Sequence, residues 1–424
     1  MSSKIPDLPG EQVPPPKQSW LRDQVRALCD LSYTKFPGAQ PVSFGTKDLR
    51  RLENQDFWIC EKSDGVRVLL FVHTDLQTKG QSVYLIDRHN TYRELEGLYF
   101  PHHENPVNPL RNTIIDGELV VDTDPRTQRE TLRYLVFDAL LVDDQNVMKR
   151  PLDKRYGRLN EWFYKPYARM MKDHPHMLAS QPFEIKVKPI QTAYNVEQVF
   201  NNEIPNLQHG NDGLIYTCVN APYSPGTDDN VLKWKPPNEN SIDFKLILRF
   251  PPQPSDPTKP DFHAKPVFLL QTWTGDQDGL SKYMQYDTMH VDDDEWERIK
   301  LSGEQYDDRI VEVHWDPDVS GWRMMRFRDD KPNANHSSIV EKIIDSIADG
   351  VDKDTLLSRS GTVRVNWKTR MGQPATSSGP QESRAAPNKR PTNPTPSPQI
   401  RYGPLASSPW SKVAGPPTVF GFIR

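Results

Sequence analysis

The sequence predicts an α+β fold rich in antiparallel strands, followed by a small β-barrel. Between residues 56 and 235, short apolar or alternating runs recur without the regular strand and helix alternation of a parallel sheet. After the prolines at 236 and 237, residues 242–328 give a second run of strands joined by polar loops, a length that suits a small barrel. The chain has 424 residues, 35% of them hydrophobic, and is long enough for two or three domains.

The individual elements follow from local periodicity. In the first region, strands are predicted over 56–60, 66–72, 83–86, 114–121, 134–141, 213–217 and 231–235. Helices in the same region are predicted over 152–172 and 196–204. In the second region, strands are predicted over 243–248, 267–270, 310–315 and 322–327. An amphipathic helix over 337–348, with a hydroxyl residue available for its N-cap, closes this region.

The two ends of the chain differ from the middle. Residues 1–17 are proline-rich and polar, and helical periodicity begins only at Trp20, so we expect a disordered N-terminal segment. Residues 371–424 contain 11 prolines and six basic side chains against one acidic one, which predicts a disordered, mildly basic tail. We therefore expect one domain over 18–237, joined by a closing helix over 336–350, and a second over 238–335, with a hinge at the proline pair.

Charge and cysteine content limit the function classes. The net charge of −4 gives no overall attraction for nucleic acid, so such contacts need a local basic face. Cys29, Cys60 and Cys218 are isolated in the sequence, which argues against disulfide frameworks and structural zinc. There is no apolar run of about 18 residues and no apolar signal core, so we expect a soluble intracellular protein without a membrane segment.

The most informative motif is Lys62-Ser63-Asp64-Gly65. It places a lysine between two predicted strands, in a turn closed by glycine. A lysine at the mouth of a sheet, with cations nearby to lower its pKa, can attack phosphorus as a neutral amine. The alternative is an ordinary polar turn.

Acidic residues beside glycine mark two further strands. Asp116-Gly117-Glu118 lies in an otherwise apolar strand, where an unpaired charge would be costly to bury, so an exposed edge or bulge is the alternative to a site. Asp212-Gly213 repeats the pattern before another strand. Phe137, in a strongly apolar strand, is typical of a core residue.

Cationic pairs lie on two other strands. Lys233 and Lys235 point to one face while Trp234 points to the other, so this strand either faces solvent or presents two cations to a phosphate. Near the end of the second region, Arg326 and Arg328 share a face in the same way, an arrangement suited to phosphate binding.

In their order along the chain, these pieces resemble the motif set of the covalent nucleotidyltransferases, the superfamily of mRNA capping enzymes and ATP-dependent ligases. The resemblance is closest to mRNA guanylyltransferases of the stand-alone fungal type and covers roughly residues 20–350. Each motif is short, but six in the right order make coincidence implausible. They are Lys62-Ser63-Asp64-Gly65, Asp116-Gly117-Glu118, Leu135-Val136-Phe137-Asp138, Asp212-Gly213-Leu214-Ile215, Leu232-Lys233-Trp234-Lys235-Pro236 and Arg328-Asp329-Asp330-Lys331.

The resemblance implies a fold and a reaction. The fold would be a nucleotidyltransferase domain with a C-terminal OB-fold β-barrel as a lid. Lys62 would attack the α-phosphate of GTP, form lysyl-GMP and release pyrophosphate, and a diphosphate-ended RNA would then accept the GMP to give the 5′-5′ cap.

The resemblance also implies a role for each matching residue. Phe137 would stack on guanine, Arg67 and Glu118 would hold the ribose, and Arg88 would contact sugar or phosphate. Lys233 and Lys235 would hold the α-phosphate, and Asp212 would help place Mg²⁺ or Mn²⁺. In the second domain the implied residues are Asp243 near the domain junction and, on the β- and γ-phosphates, Arg328, Asp330 and Lys331.

The implied partners are nascent mRNA with a 5′-diphosphate end and the phosphorylated tail of RNA polymerase II, with the nucleus as location. None of the three cysteines lies in an HCxxxxxR phosphatase loop, so we expect the RNA 5′-triphosphatase to be a separate chain. Two alternatives remain. One is an ATP-dependent polynucleotide ligase of the same superfamily, and the other is an inactive module that binds RNA or the polymerase tail.

Overall fold

A computed structural model describes residues 4–75 and 77–372, together with 418–419 and 422–423. It contains two compact units. Of the described residues, unit 1 holds those up to 236 and again those from 351 to 372, and unit 2 holds residues 237–350 together with 418–419 and 422–423. None of the helices in the described part of the chain has the length and apolar character that a membrane span requires.

The strands of unit 1 include all seven predicted in that region and several short ones that sequence patterns did not indicate. They are β1 (Glu11–Gln12), β2 (Ala39–Ser43), β3 (Phe57–Ser63), β4 (Val66–Thr74), β5 (Gln81–Asp87), β6 (Tyr92–Leu95), β7 (Thr113–Thr123), β8 (Glu130–Val142), β9 (Gln145–Asn146), β10 (Glu184–Val187), β11 (Gln191–Thr192), β12 (Asn211–Cys218) and β13 (Gly226–Trp234). Its helices are α1 (Pro15–Leu28), α2 (Thr46–Asn54), α3 (Leu152–Arg158), α4 (Lys165–Asp173), α5 (Val196–Gln198) and α8 (Lys353–Met371).

The larger sheet of unit 1 has the strand order β1-β6-β5-β4-β7-β8-β10, with β9 paired to β8. Residues 68–72 of β4 are fully buried, because both faces of the sheet are covered. Helix α1 packs Leu21 and Val25 on one face. On the other face, Phe163 lies in the π-helical turn Leu159–Tyr164 that joins α3 to α4. The predicted helix over 152–172 is thus present with one wide turn inside it.

The smaller sheet of unit 1 has the order β11-β3-β12-β13-β2. Its inner face packs on α2, α5 and α8 through residues such as Leu49, Val196 and Val363. Of the pairings in the two sheets, β10 with β8 and β13 with β2 run parallel and the others antiparallel. The predicted antiparallel-rich α+β class is confirmed.

The start of the chain differs from the prediction. Within 4–17, which we expected to be disordered, β1 pairs with β6 and the Val13 side chain is 2% exposed. Helix α1 begins at Pro15 rather than Trp20. Proline suits the first helical positions, where no backbone N–H is needed. The prolines that suggested disorder therefore start a helix.

Unit 2 contains the four predicted strands. Its elements are β14 (Ser241–Arg249), β15 (Pro252–Gln253), β16 (Asp256–Pro260), β17 (Val267–Gln277), β18 (Leu280–Thr288), α6 (Asp293–Ser302), β19 (Arg309–Asp316), β20 (Gly321–Phe327) and α7 (Ser337–Ala348). The main sheet is antiparallel with the order β18-β17-β14-β19-β20, and β15 pairs with β16. After β18, His290 N donates to Trp322 O and Met289 forms a bridge with the same residue, so the chain leaving β18 meets β20 at the opposite edge.

Helix α7 has the predicted bounds but a different place. Its Val340 lies in the core of unit 2, whereas we expected the helix over 336–350 to join the first domain. The chain returns to unit 1 only at Val351 and then forms α8. The N-cap of α7 is His336, whose ring accepts from Ser338 N, and not a hydroxyl residue.

The predicted tail over 371–424 lies largely outside the described residues. Helix α8 still includes Met371. Beyond it, the described positions are Thr418–Val419 and Phe422–Ile423, which pair as two short strands.

Candidate active site

A cleft of about 650 Å³ lies between the two sheets of unit 1. The face of the smaller sheet that turns away from α8 forms one wall, and the larger sheet forms the other. Six of the predicted site residues line this cleft. They are Lys62, Arg67, Arg88, Glu118, Phe137 and Lys233.

Lys62 lies at the end of β3, one residue before the strand stops, so the turn itself begins after it. Its Nζ donates to Asp212 Oδ1 at 2.5 Å, and Lys235 Nζ lies 2.5 Å from Asp212 Oδ2. The Lys62 side chain is 24% exposed and faces the cleft. One carboxylate thus bridges two ammonium groups, and a ligand phosphate can reach the nucleophile candidate.

Asp212 is placed by an irregularity of β12. The register of β12 against β3 shifts between Asn211 and Leu214. Within this shift Gly213 has φ of +138°, and a Cβ there would overlap the carbonyl oxygen of Trp234. Only glycine fits this position, which explains the Asp-Gly pair at the start of the strand.

The predicted alternation of β13 is confirmed. Leu232 and Trp234 are buried in the core, while Lys233 faces the cleft between them. Burial lowers the pKa of Lys233, and the ammonium groups of Lys235 and Lys62 lower it further. Lys62, Lys233 and Lys235 therefore place three ammonium groups near the single carboxylate of Asp212.

Arg67 is fixed by a carboxylate that sequence reading did not place in the site. Its Nε and Nη2 donate to the two oxygens of Asp116 at 3.0 and 2.6 Å, and Nη1 donates to Ala39 O. Tyr223 Oη donates to Asp116 Oδ2 at 2.6 Å. Asp116 is fully buried and its charge is paired, so the strand is not an exposed edge. The register of β7 against β8 does shift between Asp116 and Gly117, as the bulge alternative predicts.

Glu118 and Phe137 complete the middle of the cleft. Burial raises the pKa of Glu118, while the cations Lys188, Lys62 and Arg67 oppose this shift. Phe137 is half-buried and lines the cleft instead of joining the core that its apolar strand suggested. Its ring centroid lies 5.7 Å from the Arg67 guanidinium and 5.9 Å from Lys188 Nζ. The ring thus lies at the surface of the cleft beside two cations.

Five further predicted residues are divided between the rim of the cleft and unit 2. Arg88 is exposed on the rim of the cleft. The other four belong to unit 2, where Arg328 Nη1 donates to Asp243 at 3.0 Å and its Nε donates to Asp330 at 2.8 Å. Lys331 Nζ lies 3.9 Å from Asp243. The expected pairing of Arg326 with Arg328 is also present, since both contact Glu312.

Sequence reading missed Lys188. This buried lysine lines the cleft, and its Nζ lies 2.9 Å from Glu61 Oε1 and donates to Ser63 Oγ at 2.7 Å. The segment Lys186-Val187-Lys188 repeats the alternation of lysines seen at 233–235 and was the available signal. With Lys62, it is one of two lysines lining the cleft that have a defined carboxylate or hydroxyl partner.

A separate cluster has the composition of a metal site, but two of its three side chains, His102 and Asp143, already have partners. In it, ligand atoms of His102, His103 and Asp143 lie within 4.8 Å of one another. His102 Nδ1 accepts from the backbone N–H groups of residues 104 and 105, so its Nε2 carries the hydrogen that faces Asp143 at 3.3 Å. Arg111 holds the same carboxylate at 2.9 Å. The group is an internal ion-pair cluster.

Comparison with known proteins places this geometry in a family. The family model described as mRNA capping enzyme, catalytic domain, matches residues 4–237. The model of the mRNA capping enzyme C-terminal domain matches residues 239–357. This chain belongs to the mRNA capping enzyme family. The predicted membership is confirmed, and the boundary between the two matches falls beside the proline pair.

The curated relatives agree with this assignment. The mRNA-capping enzyme subunit alpha of Neurospora crassa is 40% identical over 378 residues, which cover 85% of this chain and 93% of that protein. The protein of the same name from Schizosaccharomyces pombe is 40% identical over 367 residues, or 86% and 89% of the two chains. The mRNA-capping enzyme of Danio rerio is 28% identical, and the match covers 81% of this chain but 52% of that protein.

Among solved structures, the ATP-dependent DNA ligase of bacteriophage T7 in complex with ATP is similar at 14% sequence identity. The match covers 69% of this chain and 98% of the ligase, with a TM-score of 0.33.

Proposed function

We propose that this capping enzyme is a GTP:RNA guanylyltransferase in which Lys62 is the nucleophile. The observation that carries the proposal is the position of the Lys62 amine, in a cleft between two sheets and in contact with Asp212 among the cleft lysines. The Lys62 nitrogen attacks the α-phosphorus of GTP. A P–N bond forms, the bond between the α-phosphorus and the bridging oxygen breaks, and pyrophosphate leaves. A 5′-diphosphate RNA then attacks the same phosphorus, which forms the cap linkage and restores the lysine.

The walls of the cleft suit the parts of a guanosine nucleotide. The ring of Phe137, which lines the cleft, offers a stacking surface for guanine. Arg67, held by Asp116, and the nearby Glu118 present hydrogen-bonding groups for the ribose, and Arg88 on the rim can meet sugar or phosphate.

Lys233 and Lys235 supply charge for the α-phosphate. Phosphoryl transfer is catalysed mainly by position and by neutralisation of the charge on phosphate oxygens. Lys233 faces the cleft, and Lys235 is held 2.5 Å from Asp212. An α-phosphate beside Lys62 would take the place of Asp212 as the partner of these ammonium groups. Lys62 must lose its contact with Asp212 and its proton before its lone pair can attack.

The donor set also fits a divalent cation. Mg²⁺ in proteins is held by one or two carboxylates together with substrate phosphates. Asp212 provides a partly exposed carboxylate beside the nucleophile candidate, so it would hold Mg²⁺ or Mn²⁺. The bound cation would neutralise charge on the phosphates.

We further propose that unit 2 is an OB-fold lid with a hinge near Pro236 and Pro237. Its five-stranded antiparallel sheet, with the edges β18 and β20 joined, supports the barrel assignment. Arg328 and Lys331 would bind the β- and γ-phosphates, with Asp330 and Asp243 holding Arg328 ready in their absence. The lid would then open to release pyrophosphate and admit RNA.

The same proposal includes partners and location. The fungal relatives are named subunit alpha, which supports a separate chain for the RNA 5′-triphosphatase. The phosphorylated RNA polymerase II tail and the nucleus follow from capping of nascent mRNA.

Labelling with [α-³²P]GTP and Mg²⁺ tests the reaction. The wild-type chain should gain an acid-labile label with release of pyrophosphate, and Lys62→Ala should gain none. Lys149→Ala is the matched control, because its side chain is 89% exposed outside the cleft. Labelling by ATP in place of GTP would instead favour a ligase. Binding of RNA without any covalent label would indicate the inactive module.

A further inference from the structure

Next to Lys62 lies a group of charged residues that the proposed reaction does not use. We call it the buried ion cluster, and define it by Glu61, Asp122, Arg133, Lys188 and His209. Glu61 is 4% exposed and directly precedes Lys62 in the chain. Charges buried this deeply require paired partners, so their arrangement must be specific.

His209 joins the two carboxylates of this cluster. Its Nδ1 lies 2.6 Å from Asp122 Oδ1, and its Nε2 lies 3.4 Å from Glu61 Oε1. Each ring nitrogen faces a carboxylate oxygen, an arrangement that favours the imidazolium, in which both nitrogens carry hydrogen. Burial opposes this charge, yet Asp122 and Glu61 raise the pKa of His209 to about 9. The histidine is thus a cation at neutral pH.

The charged groups on the strands packed around His209 are paired with one another. Glu61 on β3 faces Lys188, which follows β10. Asp122 on β7 faces Arg133 on β8, and Arg133 also lies 3.4 Å from Glu184 on β10. Arg133 thus pairs with Asp122 and Lys188 with Glu61, and the ring of His209 lies between these two carboxylates. Glu184 is 44% exposed.

His209 also lies in the segment that carries the site. Gln208 O accepts from Thr123 N at 2.8 Å, and Gly210 O accepts from Asp64 N at 2.8 Å. Asn211 Nδ2 donates to Lys62 O at 2.9 Å. Segment 207–212 therefore spans from β7 of one sheet to β3 of the other and ends at Asp212, the partner of Lys62.

We propose that His209, as the cation between Glu61 and Asp122, is a positioning residue that holds segment 207–212 and with it the Lys62–Asp212 pair for lysyl-GMP formation. This inference rests on the proposed guanylyltransferase reaction. His209 is not among the residues that line the cleft, and it acts through the two sheets that its segment joins.

The test compares single-turnover rates of lysyl-GMP formation at saturating GTP for the wild type and for His209→Asn across pH 6.5–10. Near pH 7 the variant should be slower by roughly 10- to 100-fold, the scale of a small misplacement of reacting groups. Because a lysine must also lose a proton, both rates change with pH, and the ratio of the two is the informative quantity. It should be constant near pH 7 and fall toward one as pH rises through about 9.

A second variant separates charge from shape. Asp122→Asn keeps an acceptor for Nδ1 but removes the anion that raises the pKa of His209. The ratio of the Asp122→Asn rate to the His209→Asn rate should therefore fall toward one at a lower pH than the same ratio for the wild type. His176→Gln, on an exposed side chain outside the cleft, is the matched control and should follow the wild type at every pH.

Hydrogen exchange gives a readout that needs no chemistry. In the protein without nucleotide at pH 7, His209→Asn should increase exchange of the Asp64 and Thr123 amides, whose acceptors lie in segment 207–212. Increased exchange with wild-type rates would limit His209 to stability and overturn the proposal. A rate ratio that stays flat to pH 10 would also overturn it. If the wild type forms no lysyl-GMP, the reaction proposed above is wrong, and unchanged exchange would then reject the positioning role independently.

Discussion

The guanidinium of Arg67 lies in a bidentate contact with the carboxylate of Asp116, with N···O distances of 3.0 and 2.6 Å. In the strand register Arg67 is opposite Glu118, so its side chain leans along the sheet to reach Asp116. This contact leaves Glu118 free to face the cleft. The pair therefore both secures a buried charge and defines which carboxylate is available to a ligand.

Removal of Asp116 should be strongly destabilising. Asp116→Ala strands the Arg67 cation and should lower the free energy of unfolding by about 3–5 kcal/mol. Urea denaturation measures this. The double variant Arg67→Met/Asp116→Leu should recover much of the loss, because no uncompensated charge remains. Glu130→Ala, which breaks the exposed pair with Lys4, is the control and should change stability by less than about 1 kcal/mol. Equal losses of stability in Asp116→Ala and Glu130→Ala would contradict the conclusion that the buried Asp116 pairs with the Arg67 cation.

Two glycines should respond to alanine in opposite directions. Gly213→Ala places a Cβ against Trp234 O at φ of +138°, so it should destabilise unit 1 by more than about 1 kcal/mol and displace Asp212. Gly361 lies inside α8 with open space around it, and Gly361→Ala should stabilise the protein by about 0.5–1 kcal/mol. Thermal unfolding and GTP labelling of both variants check this. A well-folded, fully active Gly213→Ala protein would show that the strand irregularity is dispensable.

Phe137 should matter for nucleotide binding more than for stability. Phe137→Ala should raise KM for GTP by roughly 10- to 100-fold, because base stacking on an aromatic ring contributes about 1–3 kcal/mol. Its melting temperature should change little, since the ring is half-buried beside the cleft. Phe163→Ala offers the contrast. That ring is 1% exposed in the core, and its loss should cost about 3–5 kcal/mol. A large loss of stability in Phe137→Ala would assign the ring to the core.

Arg328 should be required for only one of the two steps. Arg328→Lys retains a charge beside Asp243 but lacks the planar fork, and it should slow lysyl-GMP formation by about 100- to 1,000-fold. Transfer of GMP from isolated lysyl-GMP protein to 5′-diphosphate RNA should stay within a few-fold of the wild type. The exposed Arg298, in α6, supplies the control Arg298→Ala. Equal loss in both steps would argue against a role on the β- and γ-phosphates.

The sequence was most informative where local periodicity decides orientation. The alternation around Trp234 predicts that its two neighbouring lysines share the opposite face of the strand. In the folded protein Trp234 is buried and Lys233 lines the cleft, as that alternation requires. The start of α1 was less legible, because prolines at 14–16 are compatible with both disorder and a helix N-terminus. Only the pairing of β1 with β6 shows that this segment is ordered.

The charge pairs of the site were not legible in the same way. Lys62 meets Asp212 across 150 residues, and His209 meets Asp122 across 87. No local pattern links such positions, because the pairing depends on which strands become neighbours. Lys188 had a local signal in its alternation with Lys186, but its carboxylate partner, Glu61, lies on another strand.

By itself, the sequence indicated the family through the resemblance of six short motifs in order, and it indicated the main strands and the cleft-facing side of Lys233 through local alternation. Long-range packing settles which buried carboxylate meets which cation, and that helix α7 packs in unit 2 while α8 returns to unit 1. Those choices depend on contacts between distant segments, where desolvated charges must find partners and apolar faces must find cover.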